Sequence, residues 1–316
     1  MAKIPVSILT GFLGSGKTTL LAQILERCAN RAIAVVVNEC GQVGLDTQVL
    51  AHLRYVPEKM RLLQGGCVCC AYRQDLIDSL KALISDSCID HVVVETSGIA
   101  NPAPILFSLL HDVFLSQHFI PHNVITCLDG VHGFSHLKDN VEAQHQIATS
   151  NVVVITKTDL QDSFAKLSTL VASTNPTATL YDKARIDVAC LLQESPTSPI
   201  CATPPQHTHQ YFRTLCLEFE ERIDWSAFSL WLSFLLYQYG DRILRTKGII
   251  RTEQACIALN GVQHIIYPPT HLSPTQEHLS QLVFILKDLD PQAIHTSLKT
   301  LFRALGVAFN PRHSVT

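Results

Sequence analysis

The sequence has little charge and no long apolar run. Charged residues fill 16% of its 316 positions, against the usual ~25% of globular chains. They are 24 Lys and Arg against 27 Asp and Glu, a net charge of −3. Without a basic excess, no bulk electrostatic attraction draws the chain to nucleic acid or to an anionic membrane. No uninterrupted apolar stretch approaches the roughly 18 residues that read as a membrane span, which predicts none. Met1–Thr10 holds a short apolar run but no small-residue cleavage site, so no signal peptide is expected. Internal repeats are absent, and an apolar fraction of 47% excludes disorder, collagen and coiled coil.

Against these absences stand 15 His and 11 Cys. The cysteine number is odd, and Cys67, Cys69 and Cys70 crowd into four positions. Such crowding suits thiolate chemistry better than a disulfide framework and predicts a reducing, cytoplasmic setting.

The length suggests about two domains. Through the first 190 or so residues, short β-branched runs alternate with helical stretches. Expected strands are Val6–Leu9, Ile33–Val37, Met60–Leu63, Val92–Glu95, Val124–Leu128, Val152–Thr156 and Thr179–Tyr181. Expected helices are Lys17–Cys28, Tyr72–Ser85, Pro102–Leu110, Val141–Thr149 and Ser163–Ser173. Several strands are apolar throughout, as in a parallel sheet covered on both faces. The alternation predicts a doubly wound, mostly parallel α/β domain over 1–192. A Pro/Ser/Thr-rich linker over 193–210 follows. The rest, 211–316, reads as β-α-β-β-β-β-α, a smaller α+β domain. Its first helix, Trp225–Tyr239, is N-capped by Asp224, and its last opens at Asp290-Pro291.

Gly11-Phe-Leu-Gly14-Ser15-Gly16-Lys17-Thr18 matches G-x-x-x-x-G-K-[ST] between a strand and a helix. The glycines let successive N–H groups face a phosphate, and the helix N-terminus adds its dipole. Lys17 supplies a point charge for the β- and γ-phosphates, and the Thr18 hydroxyl is a hard ligand for Mg²⁺. Thr19 completes this segment. Val92-Val-Val-Glu95-Thr-Ser-Gly98 ends an apolar strand in a carboxylate, the arrangement that reaches Mg²⁺ directly or through water. Gly98 lets the backbone approach the γ-phosphate. Thr156-Lys157-Thr158-Asp159 ends a later strand. Asp159 can accept both N–H groups of the guanine edge, and the Lys157 stem can pack on the purine. Common GTPases have Asn at the first position, and here it is Thr156. Further base contacts are expected from Asp182–Ala184.

Gly65-Gly66-Cys67-Val68-Cys69-Cys70 can present two or more thiolates to Zn²⁺ or Cu⁺, and could hold Co²⁺ or Ni²⁺. On residues alone a metal site, a redox pair and buried structural cysteines all remain open. Asn38-Glu39-Cys40-Gly41-Gln42-Val43-Gly44-Leu45-Asp46 lies where a nucleotide-sensing switch sits in many P-loop proteins. An ordinary glycine-rich loop is its plain alternative. Cys201, His207 and His209 read as solvated linker. The scattered His111, His118, His122, His132, His136 and His145 read as surface or packing residues. Trp225, Phe228, Leu232 and Leu235 read as core.

Taken together, these motifs resemble the CobW-like family of P-loop GTPases, a group of proposed metallochaperones. Their order and spacing agree over nearly the whole chain, including Arg245-Thr-Lys247-Gly248 and Gly261-Val-Gln263 in the C-terminal part. The resemblance implies Mg²⁺-dependent GTP hydrolysis coupled to handling of Zn²⁺, or of Co²⁺ for cobalamin synthesis. It implies catalytic roles for Lys17, Glu95 and Glu39. Thr18, Glu95 and Asp46 would serve Mg²⁺, with Glu39 or Asp46 acting through water. Cys67, Cys69, Cys70 and the unusual Cys40 would serve the transition metal. Cys40 stands where the family has an aromatic or apolar residue, and Gln42 where it often has an acid. A thiol gained and a carboxylate lost soften the site toward Zn²⁺ or Cu⁺. The expected partners are GTP, a metal ion and a client metalloprotein, with an oligomer left open. Alternatives are a GTP switch that senses metal without transferring it, an ATP-using P-loop enzyme, and a redox protein.

Overall fold

A computed structural model gives the architecture and describes residues 2–39, 60–64, 70–84, 89–160, 164–193, 212–272, 280–307 and 312–315. Contacts divide the chain into two units, 1–170 with 178–198, and 171–177 with 199–316. Cys40, Asp46, Cys67, Cys69 and nearly all of the expected linker lie outside the described residues.

The first unit is built on seven parallel strands: β1 (Ile4–Thr10), β2 (Ile33–Glu39), β3 (Met60–Gln64), β4 (His91–Glu95), β5 (Phe119–Asp129), β6 (Val152–Thr156) and β7 (Thr179–Asp182). Their order is β3-β2-β4-β1-β5-β6-β7. Side chains alternate between two cores, as the strand period requires. Val35, Val37 and Val93 pack with Leu21 and Ile24 of helix α1 (Lys17–Arg27). Ala34, Val36, Val92 and Val94 pack with Leu76 and Leu80 of α2 (Cys70–Ile84). A strand apolar at every position is therefore buried on both faces, as the sequence pattern predicts.

Helices α3 (Ala103–His111) and α6 (Val141–Thr149) match expected segments. Two short helices do not: α4 (Val113–His118) and α5 (Gly133–Asp139). The first is nucleated by Asp112, whose carboxylate accepts from the Phe114 and Leu115 amides. α7 covers Phe164–Thr174.

The second unit is an antiparallel sheet ordered β11-β10-β9-β13-β8-β14, with β12 paired to β10. These strands are β8 (Phe212–Phe219), β9 (Ile243–Arg251), β10 (Cys256–Val262), β11 (Ile265–Ile266), β12 (Thr270–Leu272), β13 (Ser280–Lys287) and β14 (Arg312–Val315). Helices α8 (Trp225–Tyr239) and α9 (Pro291–Ala304) cover it. The Asp224 carboxylate caps α8 through the Ala227 amide at 2.8 Å. Phe228, Leu232 and Leu235 are buried in this core, with Trp225 partly buried against it. Strands β12 and β14 add to the expected pattern. Strands β10 and β11 form a tight hairpin that turns at Gln263, whose φ is 53°.

Candidate nucleotide and metal site

The phosphate loop joins β1 to α1. At Gly11 φ is 141°, and a Cβ there would lie 2.4 Å from the Cys127 carbonyl and 2.6 Å from Ser15 Oγ. Only a residue without a side chain fits. Gly16 N-caps α1 and no side chain bonds the cap, so the first N–H groups of the helix remain available to an anion. The Lys17 ammonium donates to the Gly11 carbonyl at 2.9 Å and the Phe12 carbonyl at 3.4 Å, lying over the loop. Beneath the loop, burial pushes the Cys127 thiol up to about 12, and the nearby Lys17 charge only partly opposes it. That sulfur is a packed thiol, not a metal-binding thiolate.

Because β4 pairs with β1, Leu9 sits in register with Glu95. The Thr18 hydroxyl then donates to Glu95 Oε1 at 2.8 Å, and both residues are buried. Two hard oxygen donors side by side, one in the first turn of α1 and one at the end of β4, suit Mg²⁺. Gly98 follows on the same strand end. A Cβ at Gly98 would lie 2.7 Å from the Leu13 amide nitrogen and 2.6 Å from Leu13 Cδ2. The absence of a side chain lets this turn lie against the phosphate loop.

On the base side, the Thr156 hydroxyl donates to the Ser15 carbonyl at 2.7 Å, latching β6 to the phosphate loop. Lys157 has φ 54°, and its ammonium donates to Asp129 Oδ2 at 2.7 Å. Thr158 donates to Asp182 Oδ1 at 2.6 Å, and the Lys183 amide donates to the Ile155 carbonyl at 2.9 Å. The segment 182–184 is thereby drawn to the Thr156–Asp159 turn, on which Asp159 is exposed. Lys183 and Ala184 also line a cleft of about 610 Å³ with Gln23, Glu26 and Arg27 of α1.

Three supporting residues escape the motif reading. Asp129 is 1% exposed. Burial by itself would raise its pKa, but bonds from Lys157, the His132 amide and the Val131 amide, with the Lys157 charge, hold it below the ordinary value. Its signal in the sequence is an Asp before Gly at a strand end. Asp182, in the segment expected to reach the base, is an acid that ends β7. Gln146, inside α6, carries no signal.

The cysteine motif follows β3, an edge strand of the sheet. β2 and β3 are parallel neighbours with Glu39 in register with Gln64. The segments that carry Cys40 and Asp46, and Cys67 and Cys69, leave from these two adjacent ends. Cys70 opens α2. Among the described residues no group of three or more His, Cys, Asp or Glu forms a metal cage. Among the described residues, Cys28, Cys127, Cys190 and Cys256 are free thiols. His111 stacks on Phe107 at 4.3 Å, His118 on Phe114 at 4.3 Å, and His136 packs on Phe12 at 4.8 Å. These are packing roles, as expected. No helix among the described residues is long and apolar enough to cross a membrane.

The phosphate loop, the buried Thr18–Glu95 pair and the Thr156–Asp159 turn on a parallel sheet define a P-loop GTPase. The chain belongs to the CobW/HypB/UreG family: that family's nucleotide-binding domain matches residues 5–182, and the cobalamin synthesis protein cobW C-terminal domain matches residues 212–302. It is 29% identical to the zinc chaperone YjiA of Escherichia coli over 286 residues, covering 84% of this chain and 88% of that one. It is 34% identical to the zinc-regulated GTPase metalloprotein activator 1 of Schizosaccharomyces pombe over 167 residues, covering 51% of this chain and 41% of the relative. The crystal structure of Zn(II)-bound YjiA from E. coli superposes with a TM-score of 0.72 at 24% identity, over 95% of this chain and 99% of that one. At that identity the likeness concerns the fold.

Proposed function

We propose that this protein is a cytoplasmic metallochaperone that couples GTP turnover to delivery of a transition metal, zinc first and cobalt second, to a client metalloprotein. The reading assigns residues 1–192 to the GTPase domain and 211–316 to the C-terminal domain. One observation carries it. Four consecutive strands, in the order β3-β2-β4-β1, end at the same edge of one parallel sheet. In that order they lead into the cysteine motif, the Asn38–Asp46 segment, Glu95–Gly98 and the phosphate loop. The names of the relatives, a zinc chaperone and a zinc-regulated metalloprotein activator, agree with it.

In this reading GTP lies on Gly11–Thr19, with Lys17 on its phosphates and Thr156, Lys157 and Asp159 toward guanine. The Thr18 and Glu95 oxygens would hold Mg²⁺, which supplies positive charge to neutralise the β- and γ-phosphates. Glu39 or Asp46 would complete its shell through water. Cys67, Cys69, Cys70 and Cys40 bind the cargo as thiolates. The γ-phosphate draws Asn38–Asp46 toward the phosphate loop, reshaping the neighbouring cysteine segment. Hydrolysis relaxes it and frees the ion.

Linkage supplies the test. If GTP changes zinc affinity by some factor, zinc must change GTP affinity by the same factor. The expected factor is on the order of 5–150, measured by titrating zinc with a GTP analogue or GDP bound, and the nucleotides with and without zinc. Two factors of one reject the coupling. Zinc that reaches an apo-client equally well with GTP or GDP rejects delivery and leaves a sensor.

A further inference from the structure

Gln146 lies on α6, 1% exposed, with no place in any nucleotide motif. Its Nε2 donates to the Gly98 carbonyl and to the Ala100 carbonyl, each at 3.1 Å. Two carbonyl acceptors on one side fix the amide, because only its nitrogen can donate to them. The amide oxygen is therefore directed elsewhere. Oε1 is buried without a hydrogen-bond partner, as are Ser15 Oγ of the phosphate loop and His136 Nδ1.

These three residues line one cavity with about 10 Å³ of room, walled otherwise by Phe12, Cys127 and Asp129 among others. One water needs on the order of 10–15 Å³ and two to four polar partners. The cavity is at the lower end of that size, and the three orphaned atoms belong to residues that line it. Burial holds the His136 imidazole below its ordinary value, so at neutral pH it is an uncharged partner.

We propose that Gln146 is a positioning residue for the γ-phosphate end of the site. Its amide nitrogen holds the Gly98–Ala100 turn, and its amide oxygen reaches Ser15 through one water bound in this cavity. The turn it holds is the one whose Gly98 lies against Leu13 of the phosphate loop. Gln146 thus ties the two backbone segments that would meet around the terminal phosphate of GTP. Diphosphate binding, which needs only the phosphate loop and the base turn, does not depend on that tie. This inference rests on the reading that GTP is the substrate and Gly98 faces its γ-phosphate.

The test is Gln146→Met, which keeps length and removes both hydrogen-bonding ends. GDP affinity is expected within about twofold of the parent, while affinity for a non-hydrolysable GTP analogue and turnover at saturating GTP each fall about tenfold. A merely structural role would weaken GDP and the analogue together, and that result overturns the proposal, as does a variant equal to the parent in every reading. If the Met variant does not fold, Gln146→Asn, whose amide is one methylene short, is measured and judged by the same split. A parent protein that hydrolyses no GTP overturns the reading beneath; a parent that turns over beside an unaffected variant overturns only the role of Gln146. A high-resolution crystal structure should show a water within hydrogen-bonding distance of Gln146 Oε1, Ser15 Oγ and His136 Nδ1, and a dry cavity there refutes the water arm.

Discussion

Replacing Asp129 separates two jobs that one carboxylate performs. It accepts from the Val131 amide at 2.7 Å, the His132 amide at 3.0 Å and the Lys157 ammonium at 2.7 Å. Asp129→Ala removes all three. Losing the two amide bonds, which act as a cap on the turn after β5, costs about 2 kcal/mol. The ion pair adds about 1 kcal/mol or less, because the Lys157 side chain is 36% exposed and screened by solvent. Asp129→Ala should therefore lose about 3 kcal/mol of unfolding free energy, and Asp129→Asn, whose oxygen still serves the amides, about 1 kcal/mol. Both are read from chemical denaturation of the GDP-bound protein.

The functional part is sharper. Lys157 occupies the left-handed region at φ 54°, a conformation that costs a residue with a side chain roughly 1–2 kcal/mol. The Asp129 contact helps to hold it there, so Asp129→Asn should weaken GDP binding about fivefold, and adding Lys157→Ala should bring little further loss. The pH dependence has a fixed sign. A carboxylate depressed by folding contributes stability above its unfolded value near 3.9 and loses it as pH falls through the lower folded value. The gap between parent and Asp129→Asn should be full at neutral pH and close below about pH 4. If Asp129→Asn matches the parent in both GDP affinity and denaturation midpoint, the ion pair does not set the base turn and the reasoning is wrong.

Gly98→Ala should drive the turn off Leu13, given its 2.7 Å approach. Phosphate release should drop at least about tenfold with GDP affinity nearly unchanged, and full turnover would show that the close approach is dispensable. His91 is held at about 3 by burial first, then by the His122 and Arg31 charges. A base depressed on folding loses stability as pH falls below its unfolded value of about 6.5, by about 1.4 kcal/mol per unit until the folded value is reached. His91→Gln should flatten that decline in a denaturation series from pH 7.5 to 5, and an unchanged slope would place the acid sensitivity elsewhere.

Much of the sheet is legible in the sequence because several of its strands, β2, β4 and β6 among them, are apolar at consecutive positions. The apolar run Val152–Thr156 coincides with the observed β6, and its five residues are all buried. The phosphate loop is legible because its glycines and Lys17 sit at positions the backbone itself requires. The short helices α4 and α5 are less so: six and seven residues carry too little periodicity to stand out. Asp112, Asp129 and Asp182 were visible as acids beside turns, but which amide or ammonium each serves depends on strand pairing that one sequence does not display. The β10–β11 hairpin escaped because its turn uses Gln263 at positive φ, where pattern reading looks for Gly or Asn.

The supporting contacts converge on one residue of the phosphate loop. Ser15 gives its carbonyl to Thr156 at 2.7 Å. Its hydroxyl lines the cavity shared with Gln146, and it closes the space above Gly11. The end of β6 thus bonds Ser15 directly, and the proposed water would tie the Gly98 turn to the same residue. The latch needs a side-chain donor at the end of β6, and the Thr156 hydroxyl supplies it where common GTPases carry an Asn. With β6 latched to the Ser15 carbonyl, the proposed water would tie the Gly98 turn to a loop already anchored from the β6 side.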